Sequence, residues 1–271
     1  MTIHHLNCGS MRLLEATYDG PAPAPAVNHC LLVETDDGLV LVETGLGLGD
    51  IADPDGSLGA EWVAQTQPAL DEDEAAIRQI ERLGLRPEDV AHVIVTHLDV
   101  DHCGGLPDFP WARVHVMEAE LKAALSGESG YRYRERHWVH EPKWATYEPT
   151  PGDDWFGFTA MRPEGLGPQF RLVPLGGHTA GHMGIAVRDA DRWLLHCGDA
   201  YYYHKELEPQ GHPHPLLDVV QTRSEVHHDL RLGTQARLRE LLRDHGDEVT
   251  AFSAHDPWEL ARHQTPGAAS E

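Results

Sequence analysis

The sequence has no apolar run approaching the roughly 18 to 20 residues that a membrane-spanning helix needs, which excludes a transmembrane helix. It does not begin like a secretory signal either. Met1-Thr2-Ile3-His4-His5-Leu6-Asn7 has neither a basic start nor an apolar stretch, so the expected compartment is the cytosol. Lysine is nearly missing, at Lys122, Lys143 and Lys205 only, and Lys+Arg 21 stand against Asp+Glu 44 for a formal net charge of −23. Such a surface repels phosphate backbones and anionic membranes, so neither nucleic acid nor membrane is expected as a partner. Cysteine is scarce too. Cys8, Cys30, Cys103 and Cys197 have no C-x-x-C spacing, and a chain of 271 residues does not depend on a disulfide framework, so they read as buried thiols.

What the chain has in excess is histidine, 20 of 271 residues. Its layout alternates strand and helix patterns. Residues 30–35 and 39–44 are apolar runs around Asp36-Asp37-Gly38, a hairpin signature, after a proline-alanine stretch from Tyr18 to Val27 that reads as a stiff loop. A helix is expected over 71–83, a buried strand over 90–95, a strand over 111–116 and a helix over 118–125. Glycines, prolines and the aromatic-basic run 131–138 then break the rhythm across 126–168, which reads as an inserted cap-like segment. Strands are expected at 170–175, 182–187, 193–196 and 249–253, a helix at 237–245, and a frayed tail from Gln264. No repeat or linker divides the chain, so residues 1–271 are expected to form a single α/β domain.

The strongest chemical signal directly follows the strand 90–95. In Thr96-His97-Leu98-Asp99-Val100-Asp101-His102-Cys103-Gly104-Gly105, four metal-capable side chains fall within six residues. One His or Asp there would be structural or solvated; packing cannot account for four. In an extended loop, alternate positions 97, 99 and 101 point together, and His102 follows as the chain turns. Three further motifs, Gly177-His178-Thr179, Gly198-Asp199-Ala200 and Ala254-His255-Asp256, each place a His or Asp just past a strand's carboxyl end, where ligand sites collect.

Together these motifs resemble the metallo-β-lactamase superfamily from about residue 28 to 258. Its pattern is H-x-H-x-D-H, then a distant His, an Asp and a His; His97, Asp101, His102, His178, Asp199 and His255 match it. The resemblance implies an αββα sandwich with two divalent metal ions at one sheet edge. His97, Asp99 and His178 would hold the first ion and Asp101, His102 and His255 the second, with Asp199 bridging. A hydroxide between the ions would be the nucleophile and Asp101 the proton carrier to the leaving group. Asp99 departs from the pattern, standing where the second histidine belongs, as a carboxylate does in the flavodiiron branch. This harder ligand admits iron or manganese beside zinc, which remains the first expectation.

Within the superfamily the chain most resembles acyl-homoserine lactonase-like hydrolases, through the H-T-x-G-H run at 178–182 and Asp199-Ala200-Tyr201-Tyr202. That likeness makes Tyr202 the expected hydrogen-bond donor to the substrate carbonyl. Glu43-Thr44-Gly45 replaces the usual D-T-G, and the longer Glu43 has to reach a ligand imidazole to take over that aspartate's role. His182 is expected to support His178 by hydrogen bonding.

The implied function is hydrolysis of a small-molecule lactone or carboxylic ester, in a protein that can be a homodimer. The alternatives are a phosphodiesterase or thioesterase on the same core, or a non-haem diiron redox protein, for which no residues remain to build a flavodoxin-like module. The zinc β-lactamase cysteine ligand would fall at position 199, which is aspartate. Gly45-Leu46-Gly47-Leu48-Gly49-Asp50 fails as a dinucleotide loop for want of a glycine at 50, and Gly127-Glu128-Ser129-Gly130 misses the nucleophile elbow by one residue. Arginines of the 131–138 patch would meet a polar or anionic substrate. The residues that decide the substrate are expected in 18–28 and 126–168.

Overall fold

Apolar side chains on both faces of the early strands require a sheet covered on both sides. The computed structural model describes residues 1–16, 24–127, 132–150 and 153–264. Strands β1 (Thr2–Ala16), β2 (Ala24–Thr35) and β3 (Gly38–Val42) pair antiparallel; β4 (Val90–Ile94), β5 (Arg113–Met117) and β6 (Lys143–Tyr147) extend the sheet in parallel, in that order. A hairpin of β7 (Asp153–Trp155) and β8 (Phe158–Ala160) follows. The second sheet has the order β12-β11-β10-β9, from β9 (Phe170–Pro174), β10 (Met183–Asp189), β11 (Arg192–His196) and β12 (Val249–Phe252), with only the β11–β12 pair parallel. The helices are α1 (Leu48–Ala52), α2 (Ala60–Thr66), α3 (Ala76–Arg82), α4 (Val100–Cys103), α5 (Glu118–Leu125), α6 (Pro215–Ser224), α7 (His228–His245) and α8 (Pro257–Gln264).

Period-two alternation sets the layers. Along β2, Leu31 and Val33 join Phe170, Leu172, Ile185 and Phe252 between the two sheets, while Cys30 and Leu32 face outward into a cluster with Leu41 and Ile80 of α3. Leu172 and Val173 divide likewise, Val173 meeting Leu238 and Leu241 of α7 on the outer face of the second sheet. Helix, sheet, sheet and helix are therefore stacked in the expected αββα order. Each fully buried aliphatic contributes roughly 1.5–3 kcal/mol, so the strand ends are anchored platforms for the loops that leave them.

Several elements differ from the expectation. The helix 71–83 is broken: the Asp71 side chain accepts the Asp73 N–H at 2.9 Å, capping a single 3-10 turn, and Ala75 is extended before α3 starts. Helix α7 begins at His228, nine residues earlier than 237, and β1, α6 and α8 carry no clear periodic signal. Parts of the stretch 126–168 pack on the sandwich. Its β6 forms the edge beside β5, and Trp155, Phe158 and Ala160 pack into the α7 cluster, because both pieces carry inward-facing apolar side chains. Of the proline-alanine stretch, residues 24–27 belong to β2 and 18–23 lie outside the described residues, as do 128–131 and the tail from 265.

Of the glycines at 45–49, Gly45 and Gly47 serve close packing. A Cβ on Gly47 would stand 2.5 Å from the Gly104 carbonyl oxygen, so this loop can lie against the Gly104-Gly105 turn only without side chains there.

Candidate metal centre

Every candidate ligand leaves the carboxyl end of a strand. His97 and Asp99 follow β4, Asp101 and His102 lie on the single turn α4, His178 follows β9, Asp199 follows β11 and His255 follows β12. Backbone hydrogen bonds tie the loops together: the Thr96 carbonyl accepts the Met183 N–H at 3.0 Å, and the Gly198 carbonyl accepts the Ala254 N–H at 3.1 Å. Gly198 has φ 53°, and a Cβ there would meet His182 Nε2 at 2.6 Å, so glycine is required to turn Asp199 inward.

All seven side chains converge. Their ligand-capable atoms fall into three trios, each with mutual separations within 4.8 Å: His97, Asp99 and His178; Asp101, His102 and His255; and His97, His102 and Asp199. Asp199 stands between the first two. Its Oδ2 lies 3.8 Å from His97 Nε2 and 3.3 Å from His178 Nε2, while its Oδ1 lies 3.1 Å from both His102 Nε2 and His255 Nε2. Tyr202 is buried beside it and donates its hydroxyl to Asp199 Oδ2 at 2.9 Å.

The outer nitrogens fix how the imidazoles present themselves. His97 Nδ1 meets Thr96 Oγ1 at 2.8 Å, and His255 Nδ1 donates to the Val27 carbonyl at 2.8 Å, leaving both Nε2 atoms turned inward. Glu43 does reach a ligand. Its Oε2 accepts from His102 Nδ1 at 2.5 Å and its Oε1 from the Thr96 N–H, held by a backbone in the left-handed region at φ 64°. His182, expected to support His178, does something else: Nδ1 donates to the Leu175 carbonyl at 2.7 Å, and Nε2 accepts the Asp199 N–H at 2.9 Å. It therefore positions the Asp199 backbone. Burial, reinforced by His178, brings its pKa down to about 3, so it stays a neutral acceptor.

Crowded charges perturb the cluster. Burial works against ionisation of Asp199, yet His255, His102 and His178 hold its carboxyl well below the usual range. Burial likewise opposes Asp99, which Arg132 and His97 bring down. Burial lifts Asp101, with His102 and His255 pulling the other way. For His102 the penalty of burial is outweighed by Asp199 and Glu43, and its pKa rises. The geometry fits divalent cations. His97 Nε2, His102 Nε2 and Asp199 Oδ1 are buried and make no hydrogen bond among the described residues, although other polar atoms lie 3–4 Å away. Unsatisfied buried polar atoms cost about 1–3 kcal/mol each, and four imidazoles with three carboxylates are a donor set that a cation satisfies.

Two residues at the site escaped sequence reasoning. Glu120 of α5 is fully buried; it accepts the Leu98 N–H and the Tyr133 hydroxyl at 3.0 Å through Oε1 and the Gly181 N–H at 3.0 Å through Oε2. It thus braces both loops carrying the first trio, yet in the sequence it is merely one acid in a helix's first turn. Arg132 was legible only as part of the basic patch expected to face substrate. It lines the cavity at the cluster and also binds the cluster itself, with Nη1 at 2.6 Å from Asp99 Oδ2 and 3.3 Å from His178 Nε2, and its other nitrogen on the Ser224 carbonyl. The following residues clamp it in place through Tyr133–Glu120, Arg136–Asp53 at 2.6 Å and the buried His137–Asp50 pair at 2.8 Å.

A cavity of about 400 Å³ opens onto Asp99, Asp101, Asp199, Tyr202 and His255. Its walls are mostly apolar, from Met11, Trp62 and the α6 residues Leu216, Leu217, Val219 and Val220, with polar groups from Gln65, Thr66, Arg132, Arg223 and Ser224. Of the segments expected to decide the substrate, the described residues contribute Ala26 and Arg132, and α6 supplies much of the rest while its Leu217 also packs with Tyr202 and Tyr203.

The family model of the metallo-beta-lactamase superfamily matches residues 24–247. A probable metallo-hydrolase of Mycobacterium tuberculosis is 40% identical over 266 residues, covering 96% of this chain and 82% of that protein. The N-acyl homoserine lactonase AiiA of Bacillus thuringiensis subsp. kurstaki is 31% identical over 232 residues, covering 84% and 80%. Among solved structures, an N-acyl homoserine lactone hydrolase with N-hexanoyl-L-homoserine bound at its catalytic metal centre superposes with TM-score 0.72 at 21% identity, covering 96% of this chain and 94% of that one.

Proposed function

The chain belongs to the metallo-beta-lactamase superfamily and is a metal-dependent hydrolase, and on that premise we propose that it cleaves a lactone or carboxylic ester bearing an apolar substituent at a dinuclear centre. The observation that carries this reading is the junction of the seven-residue cluster with an apolar cavity at Tyr202. His97, Asp99 and His178 would hold one cation, Asp101, His102 and His255 the other, and Asp199 both. When bound, a pair of divalent ions supplies Lewis acidity and a water acidified toward neutral pH. Zinc suits four imidazoles and three carboxylates first. The carboxylate that argues for iron, Asp99, is neutralised by Arg132.

The chain's own residues supply the rest. The α6 wall and Trp62 take the apolar part of the substrate and exclude water from it. Tyr202 OH, already aimed into the cluster, donates a hydrogen bond to the carbonyl oxygen as charge develops there. Asp101, whose carboxyl is lifted by burial, moves a proton to the leaving oxygen. The net charge of −23 disfavours polyanionic substrates, which supports a small-molecule partner, and no helix among the described residues is long and apolar enough to cross a membrane. The test is a panel of lactones, aryl esters and phosphodiesters offered to metal-loaded protein. Lactone or ester turnover that Asp101→Asn abolishes while metal content persists is expected; phosphodiester turnover alone would overturn the assignment.

A further inference from the structure

Each trio holds one carboxylate and two imidazoles, and the two differ in the charges that stand behind them. Asp99 introduces a carboxylate where an imidazole would be neutral, and Arg132 meets it: Nη1 lies 2.6 Å from Asp99 Oδ2 and 3.3 Å from His178 Nε2, so one guanidinium nitrogen faces two of the three atoms of the first trio. Asp99 Oδ2 is also the oxygen directed at His97 Nε2, 3.4 Å away. The Arg132 side chain is 4% exposed, so little solvent screens its charge. Behind the second trio stands a charge of the opposite sign, the Glu43 carboxylate on His102 Nδ1. One trio is thus backed by a cation and the other by an anion, around the shared Asp199.

We infer that Arg132 is a positioning residue for the first trio: a built-in cation that cancels the charge of Asp99, holds its carboxylate toward His97 and His178, and makes that trio the weaker of two unequal metal sites. The inference rests on the reading that both trios hold cations. A divalent ion entering the first trio meets a fixed positive charge a few ångströms away, whereas in the second it meets added negative charge through His102; at such distances in a poorly screened site each charge is worth at least a tenfold change in affinity. Loading is therefore stepwise, second trio first. Arg132 is carried by the segment clamped through His137 and Asp50, so its position is set by the fold and not by the ion.

The experiment is titration of the demetallated 271-residue chain with Co²⁺ against a competing chelator, following stoichiometry and the visible Co²⁺ spectrum. Wild type is expected to take two equivalents in steps at least tenfold apart. Arg132→Gln is expected to tighten the weaker step at least tenfold and leave the tighter one within about twofold. Arg132→Lys, which keeps the charge, retains the gap, and Glu43→Gln loosens the tighter step. Indistinguishable steps in wild type, or a weaker step that Arg132→Gln leaves unchanged or loosens, would overturn the inference. Should Arg132→Gln not fold, Asp99→Asn carries the test: it leaves the arginine uncompensated and should erase the weaker step alone, and retention of both steps refutes the idea. A wild-type protein that binds no Co²⁺ would sink the trio assignment itself, and this inference with it.

Discussion

Glu120 offers the sharpest test of how the site is held. Its two carboxylate oxygens accept three hydrogen bonds, from the Leu98 N–H, the Gly181 N–H and the Tyr133 hydroxyl, each at 3.0 Å and each buried. These donors belong to the loop carrying His97 and Asp99, the loop carrying His178, and the segment carrying Arg132. Glu120→Ala strands all three. At about 1–3 kcal/mol per buried donor left unpaired, the loss is roughly 3–9 kcal/mol, a large part of a domain's whole stability. Glu120→Gln keeps one oxygen for Leu98 and Tyr133 but sets its NH2 against the Gly181 N–H, so about 1–3 kcal/mol is expected. Urea unfolding monitored by circular dichroism measures both variants, and metal content after dialysis reports whether the first trio loosens first. An alanine variant within 1 kcal/mol of wild type that keeps its metal would refute the bracing role.

Further outcomes follow from the same coordinates. Tyr202→Phe removes the only hydroxyl that reaches the cavity from β11's loop among the described residues while keeping the ring; kcat on a lactone or aryl ester should fall about 10²-fold with little change in KM, and an unchanged kcat removes Tyr202 from the reaction. Far from the site, His115 hydrogen-bonds His92 and Tyr147, and burial with His92 and Arg113 nearby takes its pKa down to about 3. The unfolded chain then binds more protons, so this stabilisation is complete above pH 6.5 and declines as pH falls toward 3, by about 2 kcal/mol at pH 5. His115→Phe should flatten the pH dependence of the urea midpoint between pH 7 and 5, and an unaltered slope would count against the assignment. Metal removal by a chelator should lower the melting temperature, since inward-facing His97, His102 and Asp199 atoms lose their ligand; an unchanged melting curve argues against bound cations.

The sequence by itself determined the candidate ligand set and the strands that deliver it. Histidines and aspartates capable of binding a cation are few in kind, and the short apolar runs before them mark buried strands, so both signals are local. Hence His97, Asp99, Asp101, His102, His178, Asp199 and His255 could be named before any fold, and the hairpin 30–44 and the helix 118–125 were legible with them. What supports those residues was not. Glu120 reaches the backbone at 98 and 181, His182 serves Asp199 rather than His178, and Arg132 finds Asp99 from a segment that reads as a cap. The cavity wall on α6 and the breaks around Asp71 were equally silent. The physical reason is one of range. Hydrophobic periodicity and ligand chemistry act over a few neighbouring residues, whereas a brace or counter-charge is defined by which buried donor or carboxylate lies within 3 Å, and only the folding of distant loops onto one sheet edge decides that.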